Sequence, residues 1–126
     1  MAVLVVDDSA TMRRIIASHV KTLGLGVPIE ADRGDAALRT IQAGGVDLVI
    51  ADCAMPGLSG VELVRALRGQ KATATIPVLM VTGLGQEEDI QAAADAGVDG
   101  YVVKPFDLET FRERLEQVLA ARGRSA

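Results

Sequence analysis

The chain has 126 residues, 49% of them hydrophobic but only 2% aromatic, and a formal net charge of −4. This length suits one domain with its own core, and the single cysteine, Cys53, excludes an internal disulfide framework. The negative charge disfavours nucleic acid or anionic membranes as partners, and no apolar stretch approaches the roughly 20 residues that span a bilayer. We therefore expect a cytoplasmic domain without a signal peptide, whose partners are proteins or small molecules.

Five short, β-branched apolar runs alternate with longer amphipathic segments from one end of the chain to the other. The runs predicted to be strands are Ala2–Val6, Val27–Ala31, Val46–Ala51, Ile76–Val81 and Asp99–Val103. This alternation predicts βαβ units, in which parallel strands are covered by helices.

Helical spacing of apolar residues fills the intervals between the strands. The predicted buried stripes are Met12, Ile15, Ile16, Val20 and Leu23 in the first helix, Ala37, Leu38 and Ile41 in the second, Val61, Val64 and Leu67 in the third, and Leu108, Phe111, Leu115, Val118 and Leu119 in the fifth. The second helix is predicted over Gly34–Ala43. The fourth, Gln86–Ala96, should be the least firmly packed because Ile90 is its only large apolar residue.

Five parallel strands joined by right-handed crossovers favour an α/β fold, a flavodoxin-like doubly wound sheet with strand order 2-1-3-4-5 and five helices. We expect residues 1–121 to form this one domain and residues 122–126 to be a short, frayed tail.

Polar side chains follow four of the five predicted strands. Asp7 and Asp8 follow the first strand, Asp52 the third, Thr82 the fourth and Lys104 the fifth. Because ligands bind at the carboxyl ends of strands in such sheets, we expect these groups to share one edge. Three carboxylates brought together would raise one another's pKa values unless a cation neutralised them, and an all-oxygen ligand set favours Mg²⁺.

The same arrangement suggests phosphoryl chemistry, since Mg²⁺ with few protein ligands completes its shell with phosphate oxygens. Asp52 stands alone on the central strand and is the candidate nucleophile, whereas Asp7 and Asp8 would hold the metal. Lys104 would neutralise one phosphoryl oxygen, and the Thr82 hydroxyl would donate a hydrogen bond to another. Taken alone, Asp7 and Asp8 could equally be a helix N-terminal cap.

The motifs around these residues resemble those of response-regulator receiver domains, most closely the single-domain chemotaxis-type regulators. They are Val5-Val6-Asp7-Asp8-Ser9, Asp52-Cys53-Ala54-Met55-Pro56-Gly57, Val81-Thr82-Gly83 and Tyr101-Val102-Val103-Lys104-Pro105-Phe106. The resemblance implies that Mg²⁺ is held by Asp8, Asp52 and the backbone carbonyl of Ala54, with Asp7 acting mainly through water.

The resemblance also implies the protein's role in signalling. Asp52 would accept a phosphoryl group from a phosphohistidine on a sensor histidine kinase, and a downstream target protein or a phosphatase would read the result. Thr82 and Tyr101 would act as a switch that changes the face formed by the fourth helix, fifth strand and fifth helix. The resemblance further implies a cis Lys104–Pro105 bond. The expected protein is a monomer that promotes its own phosphorylation and dephosphorylation and is not an enzyme with a separate substrate.

The sequence departs from this pattern in two places. Chemotaxis regulators that bind the flagellar motor usually have lysines early in the fourth helix, where this chain has Gln86-Glu87-Glu88-Asp89. An acidic stretch here should weaken docking of a flagellar-motor peptide that is suited to a basic surface on the regulator. Ala54 and Leu84, at the positions that flank the hydrolytic water in this family, are both apolar. The phosphorylated form should therefore persist longer than in homologues with polar residues at these positions.

Two other function classes share parts of this pattern. One is a protein-interaction module that works without phosphorylation, and the other is a Mg²⁺-dependent aspartyl-phosphate phosphatase. A chain of 126 residues leaves no room for a cap domain, which disfavours the phosphatase. A dinucleotide-binding loop at Gly83-Leu84-Gly85 is disfavoured because Glu88 replaces the third glycine. His19 and Cys53 are interpreted as core residues, with Cys53 pointing away from Asp52.

Overall fold

The computed structural model describes residues 1–83 and 87–122, and it confirms the predicted doubly wound α/β fold. The elements are β1 (Val3–Val6), α1 (Ala10–Thr22), β2 (Ile29–Ala31), α2 (Gly34–Gln42), β3 (Leu48–Asp52), α3 (Gly60–Arg68), β4 (Val78–Gly83), α4 (Glu87–Ala96), β5 (Gly100–Lys104) and α5 (Leu108–Ala121). The five strands are parallel, in the order β2-β1-β3-β4-β5. Each strand begins later than its sequence pattern predicted, and β3, β4 and β5 extend into the residues of the functional motifs.

The two faces of the sheet bury two separate cores because successive strand residues point in opposite directions. In β1, Leu4 and Val6 pack with α2, α3 and α4, whereas Val3 and Val5 pack with α1 and α5. The three central strands are buried on both faces, which explains their continuous apolar runs.

Side-chain caps fix where three of the helices begin. The Oγ of Ser9 accepts a hydrogen bond from the backbone N–H of Met12 at the start of α1. Ser59 and Glu62 form a reciprocal capping box on α3, and Asp107 caps α5. Since α1 is capped at Ser9, it begins immediately after Asp7 and Asp8.

The first helix buries a narrower stripe than its sequence pattern predicted. Ile16, Ala17 and Val20 are buried, but Ile15 is 40% exposed. Adjacent helix residues lie about 100° apart, so Ile15 and Ala17 flank Ile16 on opposite sides, and the helix lies on the small Ala17 side. Ile15 is therefore corrected from a core residue to a surface residue.

The guanidinium of Arg68, at the end of α3, holds together the loops at the amino ends of β4 and β5. Its Nη1 donates to the carbonyls of Ala74 and Ile76 at 3.1 and 2.7 Å, and its Nε donates to the carbonyl of Gly97, just after α4, at 3.0 Å. Its Nη2 contacts Asp99 at 3.0 Å. The C-terminal end of α4 is thus fastened to α3, although the buried side chains among those described in α4 are the small Ala93 and Ala96.

Asp99 extends this network to the end of the chain. Its Oδ2 accepts the backbone N–H of Val78 at 2.8 Å, and its Oδ1 accepts the Nε of Arg122 at 2.5 Å. Arg122 was expected in a frayed tail but is anchored here, while residues 123–126 lie outside the described residues. Every helix within residues 1–83 and 87–122 is too short or too polar to cross a membrane.

We predict that Arg68→Met lowers the free energy of unfolding by about 2–4 kcal/mol, because it leaves three partly buried carbonyls and one side of Asp99 without their donor. Urea unfolding would measure this loss. Arg65→Met is the matched control, since Arg65 is an exposed arginine one turn earlier on the same helix. Equal effects of the two substitutions would contradict the structural role assigned to Arg68.

Candidate functional site

The strand register brings the predicted polar residues to one edge of the sheet. Asp52 is the last residue of β3 and pairs with Val81, next to Thr82 in β4. Lys104 is the last residue of β5 and pairs with Gly83. The parallel strands therefore end together, and their terminal side chains converge.

Three carboxylates form a cluster at this edge. One oxygen from each of Asp7, Asp8 and Asp52 lies within 4.8 Å of the other two. Asp7 is 0% exposed and Asp52 only 6%, whereas Asp8 is exposed to solvent. The cluster thus has a buried floor and one open side.

Lys104 supplies the cation within this cluster. Its Nζ lies 3.5 Å from Asp52 Oδ1 and 3.6 Å from Asp7 Oδ2. One ammonium therefore faces two buried carboxylates, with a third beside them. The negative charge of the cluster is only partly balanced.

The pKa values of the two buried acids reflect this imbalance. Burial raises the pKa of Asp7 above its ordinary value, and hydrogen bonding from the Ser9 backbone and the charge of Lys104 oppose the rise. Burial, followed by the negative charge of Asp7, raises the pKa of Asp52 to about 6. Lys104 and the Ala54 backbone N–H act in the opposite direction on Asp52.

The donor set fits a divalent cation. The Oδ2 of Asp7 is buried and accepts no hydrogen bond from the residues that the structure describes. Together with Asp8 and Asp52 it offers hard oxygen ligands, the kind that Mg²⁺ prefers. A cation at this position would offset the burial and the mutual repulsion that raise the two pKa values.

The turn after β1 is held by contacts that the sequence pattern did not predict. The Oδ1 of Asp7 accepts the backbone N–H of Ser9 at 2.8 Å, and Arg13 Nη1 donates to the backbone carbonyl of Asp7 at 2.8 Å. Arg13 also pairs with Glu30 on the edge strand at 3.4 Å. A basic residue one turn into the helix was visible in the sequence, but its contact depends on the tertiary turn.

The β3–α3 connection packs against the backbone of the candidate nucleophile. A Cβ added to Gly60 would lie 2.2 Å from the backbone oxygen of Asp52, so only glycine allows α3 to begin here. Ala54 is exposed in this connection. Its carbonyl as a metal ligand stays a prediction.

The remaining predicted residues lie as follows. Thr82 is buried in β4, and Tyr101 is 42% exposed on β5. The Lys104–Pro105 bond is cis, as the resemblance implied. Cys53 is buried in the core on the α2, α3 and α4 side. Leu84 lies outside the described residues.

His19 is partly buried, as the core interpretation predicted. Its ring packs against Phe111 and Phe106, with centroids 5.4 and 6.0 Å away. Burial lowers the pKa of His19, and the nearby charge of Asp107 opposes this shift.

We predict that Asp52→Asn stabilises the metal-free protein above pH 6. The folded protein binds the Asp52 proton more tightly than the unfolded chain, so the wild-type free energy of unfolding should fall as pH rises from about 4 to 6. The difference in pKa corresponds to about 3 kcal/mol at most. Asp52→Asn removes this loss.

Urea unfolding in a metal chelator between pH 4.5 and 7.5 would measure the effect. Asp35→Asn, at an exposed acid on α2, is the control and should leave the pH dependence unchanged. A variant no more stable than the wild type at pH 7 would contradict the assigned repulsion.

Comparisons with known proteins agree with this geometry. The family model "Response regulator receiver domain" matches residues 3–116. The chain is 43% identical to the chemotaxis protein CheY of Pseudomonas aeruginosa, over 94% of this chain and 95% of that protein. It is 42% identical to the chemotaxis protein CheY-3 of Vibrio cholerae, over 94% and 91% of the two proteins.

Solved structures give the same result. The chemotaxis protein CheY4 of Vibrio cholerae superposes with a TM-score of 0.85 at 36% identity, covering 94% of this chain and 99% of that one. A second match is the receiver domain of sensor histidine kinase PA1611 from Pseudomonas aeruginosa, whose structure has a magnesium ion coordinated in its active site cleft. It superposes with a TM-score of 0.83 at 24% identity, covering 93% of this chain and 95% of that one. At this identity the match bears on the fold alone. The carboxylate cluster, the topology and these relatives together show that the chain belongs to the response-regulator receiver domain family.

Proposed function

We propose that this receiver domain accepts a phosphoryl group on Asp52 and that Lys104, Thr82 and a Mg²⁺ ion assist the transfer. The observation that supports this assignment is the position of the Lys104 ammonium, 3.5 Å from an oxygen of Asp52 inside the carboxylate cluster. Asp7, Asp8, Asp52 and the backbone carbonyl of Ala54 would hold the ion. When bound, Mg²⁺ would neutralise charge on the cluster and on the incoming phosphoryl group.

The side chains have separate roles in the transfer. A carboxylate oxygen of Asp52 attacks the phosphorus of a phosphohistidine, the P–N bond breaks, and its electron pair remains on the leaving imidazole. Lys104 would then contact a phosphoryl oxygen in place of the carboxylate oxygen that it now faces. The Thr82 hydroxyl would donate to another phosphoryl oxygen. A bound cation would lower the raised pKa of Asp52 and so favour the ionised carboxylate that the attack requires.

The phosphorylated domain would signal through the face formed by α4, β5 and α5. Phosphorylation adds roughly −1.5 to −2 charges, which would draw Thr82 toward the site and let Tyr101 turn inward from its exposed position. Moving a 1:99 equilibrium to 99:1 requires about 5.5 kcal/mol, which several charge-assisted hydrogen bonds can largely supply. The proposal includes a sensor histidine kinase as donor, a target protein or phosphatase as reader, a monomeric state and a cytoplasmic location.

The proposed chemistry is tested by incubating the protein with acetyl phosphate and Mg²⁺ and measuring its intact mass. We expect an adduct of about 80 Da, the mass of one phosphoryl group, that is absent from Asp52→Asn and from wild type in excess chelator. Asp35→Asn should still form it. An adduct that persists in Asp52→Asn would disprove the assignment, and turnover of sugar phosphates would favour a phosphatase.

A second prediction concerns the lifetime of the phosphorylated form. Ala54 is exposed beside Asp52 and cannot hydrogen-bond a hydrolytic water. Ala54→Asn should therefore shorten the lifetime several-fold by orienting water for attack on phosphorus. Loss of the adduct after removal of acetyl phosphate would be followed by mass spectrometry, with Ala54→Val as a control of similar exposure. Equal rates for Ala54→Asn and wild type would contradict the prediction.

A further inference from the structure

Asp7 is held in place through both its backbone and its side chain. Its backbone N–H donates to the carbonyl of Ala31 at 3.1 Å, and its backbone carbonyl accepts Arg13 Nη1 at 2.8 Å. Its Oδ1 accepts the backbone N–H of Ser9 at 2.8 Å. Its Oδ2 is the buried oxygen that accepts no hydrogen bond from the described residues, and it faces Lys104 at 3.6 Å. These contacts fix the residue and direct one carboxylate oxygen into the cluster.

The carbonyl of Asp7 needs a side-chain donor because it precedes the helix. Ser9 is the N-cap of α1, and its carbonyl accepts the backbone N–H of Arg13 at 2.9 Å. Asp7 lies two residues before this cap, where the helical hydrogen bonds have not yet begun. Helical side chains point back toward the N-terminus of their helix, so the guanidinium of Arg13 reaches the Asp7 carbonyl.

Arg13 is itself held by the edge strand β2. Its Nε lies 3.4 Å from an oxygen of Glu30, while its Nη1 donates to Asp7. The guanidinium is planar, so these two contacts together fix its orientation. Glu30 and Ala31 are neighbours in β2, and this short strand therefore holds the backbone of Asp7 both directly and through Arg13.

The carbonyl that Arg13 holds belongs to the peptide bond between Asp7 and Asp8. Because the peptide group is planar, fixing its oxygen fixes the direction in which the chain enters Asp8. Asp7 and Asp8 supply two of the three carboxylates of the cluster. Rotation of this peptide would move both carboxylates relative to Asp52. Arg13 therefore acts on the shape of the cluster through the backbone.

We propose that Arg13 is a positioning residue for the metal site and that Glu30 orients it. The inference rests on the proposed function, because it assigns Asp7 and Asp8 to Mg²⁺. Arg13 contacts the Asp7 carbonyl and acts on the ion only through the peptide that joins the two acids.

A purely electrostatic effect of Arg13 has the opposite sign. The guanidinium is positive, so its removal from beside an acidic cluster should strengthen the binding of a divalent cation. Loss of positioning should weaken that binding, since the partners of ligating groups typically contribute roughly 10- to 100-fold to metal affinity. The direction of the change therefore distinguishes the two roles.

The test measures Mg²⁺ binding to the metal-free protein by isothermal titration calorimetry, without a phosphoryl donor. Arg13→Met should raise the dissociation constant about 10-fold. Arg14→Met is the matched control and should stay within about two-fold, because Arg14 is an exposed arginine of the same helix whose charge is screened by water. Glu30→Gln should raise the constant about three-fold and tests the proposal if Arg13→Met does not fold.

The rate of phosphorylation by acetyl phosphate gives a second measurement. In Arg13→Met the Mg²⁺ concentration that gives half the maximal rate should rise about 10-fold, whereas the maximal rate at saturating Mg²⁺ should stay within about two-fold of the wild type. A lower maximal rate with an unchanged half-saturating concentration would assign Arg13 to the stability of the fold and overturn the proposal.

The binding measurement has its own contrary outcomes. Mg²⁺ binding in Arg13→Met that is as tight as in the wild type, or tighter, would overturn the positioning role. Equal weakening by Arg14→Met would do the same, because it would show a general effect of charge on this helix.

The intact mass of the wild type separates this inference from the proposed function. Weaker Mg²⁺ binding in Arg13→Met, without an Asp52 adduct in the wild type, would support the positioning role and refute the phosphoryl chemistry. An Asp52 adduct in the wild type, with unchanged Mg²⁺ binding in Arg13→Met, would refute the positioning role alone.

Discussion

The crowding of carboxylates around one ammonium is the constraint on which the site depends. Asp7 and Asp52 are buried beside each other, and Lys104 balances only part of their charge. A folded domain keeps such a repulsive arrangement at a cost in stability, which the raised pKa of both acids records. A bound cation would offset this cost, so the interactions that destabilise the metal-free protein would favour a metal-bound form.

The sheet can hold this arrangement because its central strands are buried on both faces. Val5, Ile50 and Val81 are each 0% exposed, and parallel pairing aligns the strand ends that follow them. β-branched and aliphatic residues, with few aromatics, fill the core on both faces of the sheet. Gly60 then lets α3 approach the backbone of Asp52.

The fold and the convergence of the polar residues at one sheet edge were predictable because both follow from local patterns. The apolar runs predicted the strands, and the polar residues directly after them predicted a shared edge of the sheet. The features that the sequence did not predict depend on tertiary contacts. Ile15 satisfied the helical pattern but is exposed, because the helix lies on the Ala17 side. The contacts of Arg68 with Asp99, 31 residues away, have no signature in a single sequence.

The position of Lys104 connects the proposed phosphoryl transfer to the face formed by α4, β5 and α5. Lys104 ends β5, so it belongs both to the site and to residues 87–122, a segment with nine acidic and four basic residues. In the proposed reaction its ammonium turns to a phosphoryl oxygen, and the added group carries more negative charge than one lysine neutralises. Phosphorylation would therefore make the potential of the face formed by α4, β5 and α5 more negative. A partner protein that docks on this face would then sense the phosphoryl group through electrostatics as well as through the proposed movement of Tyr101.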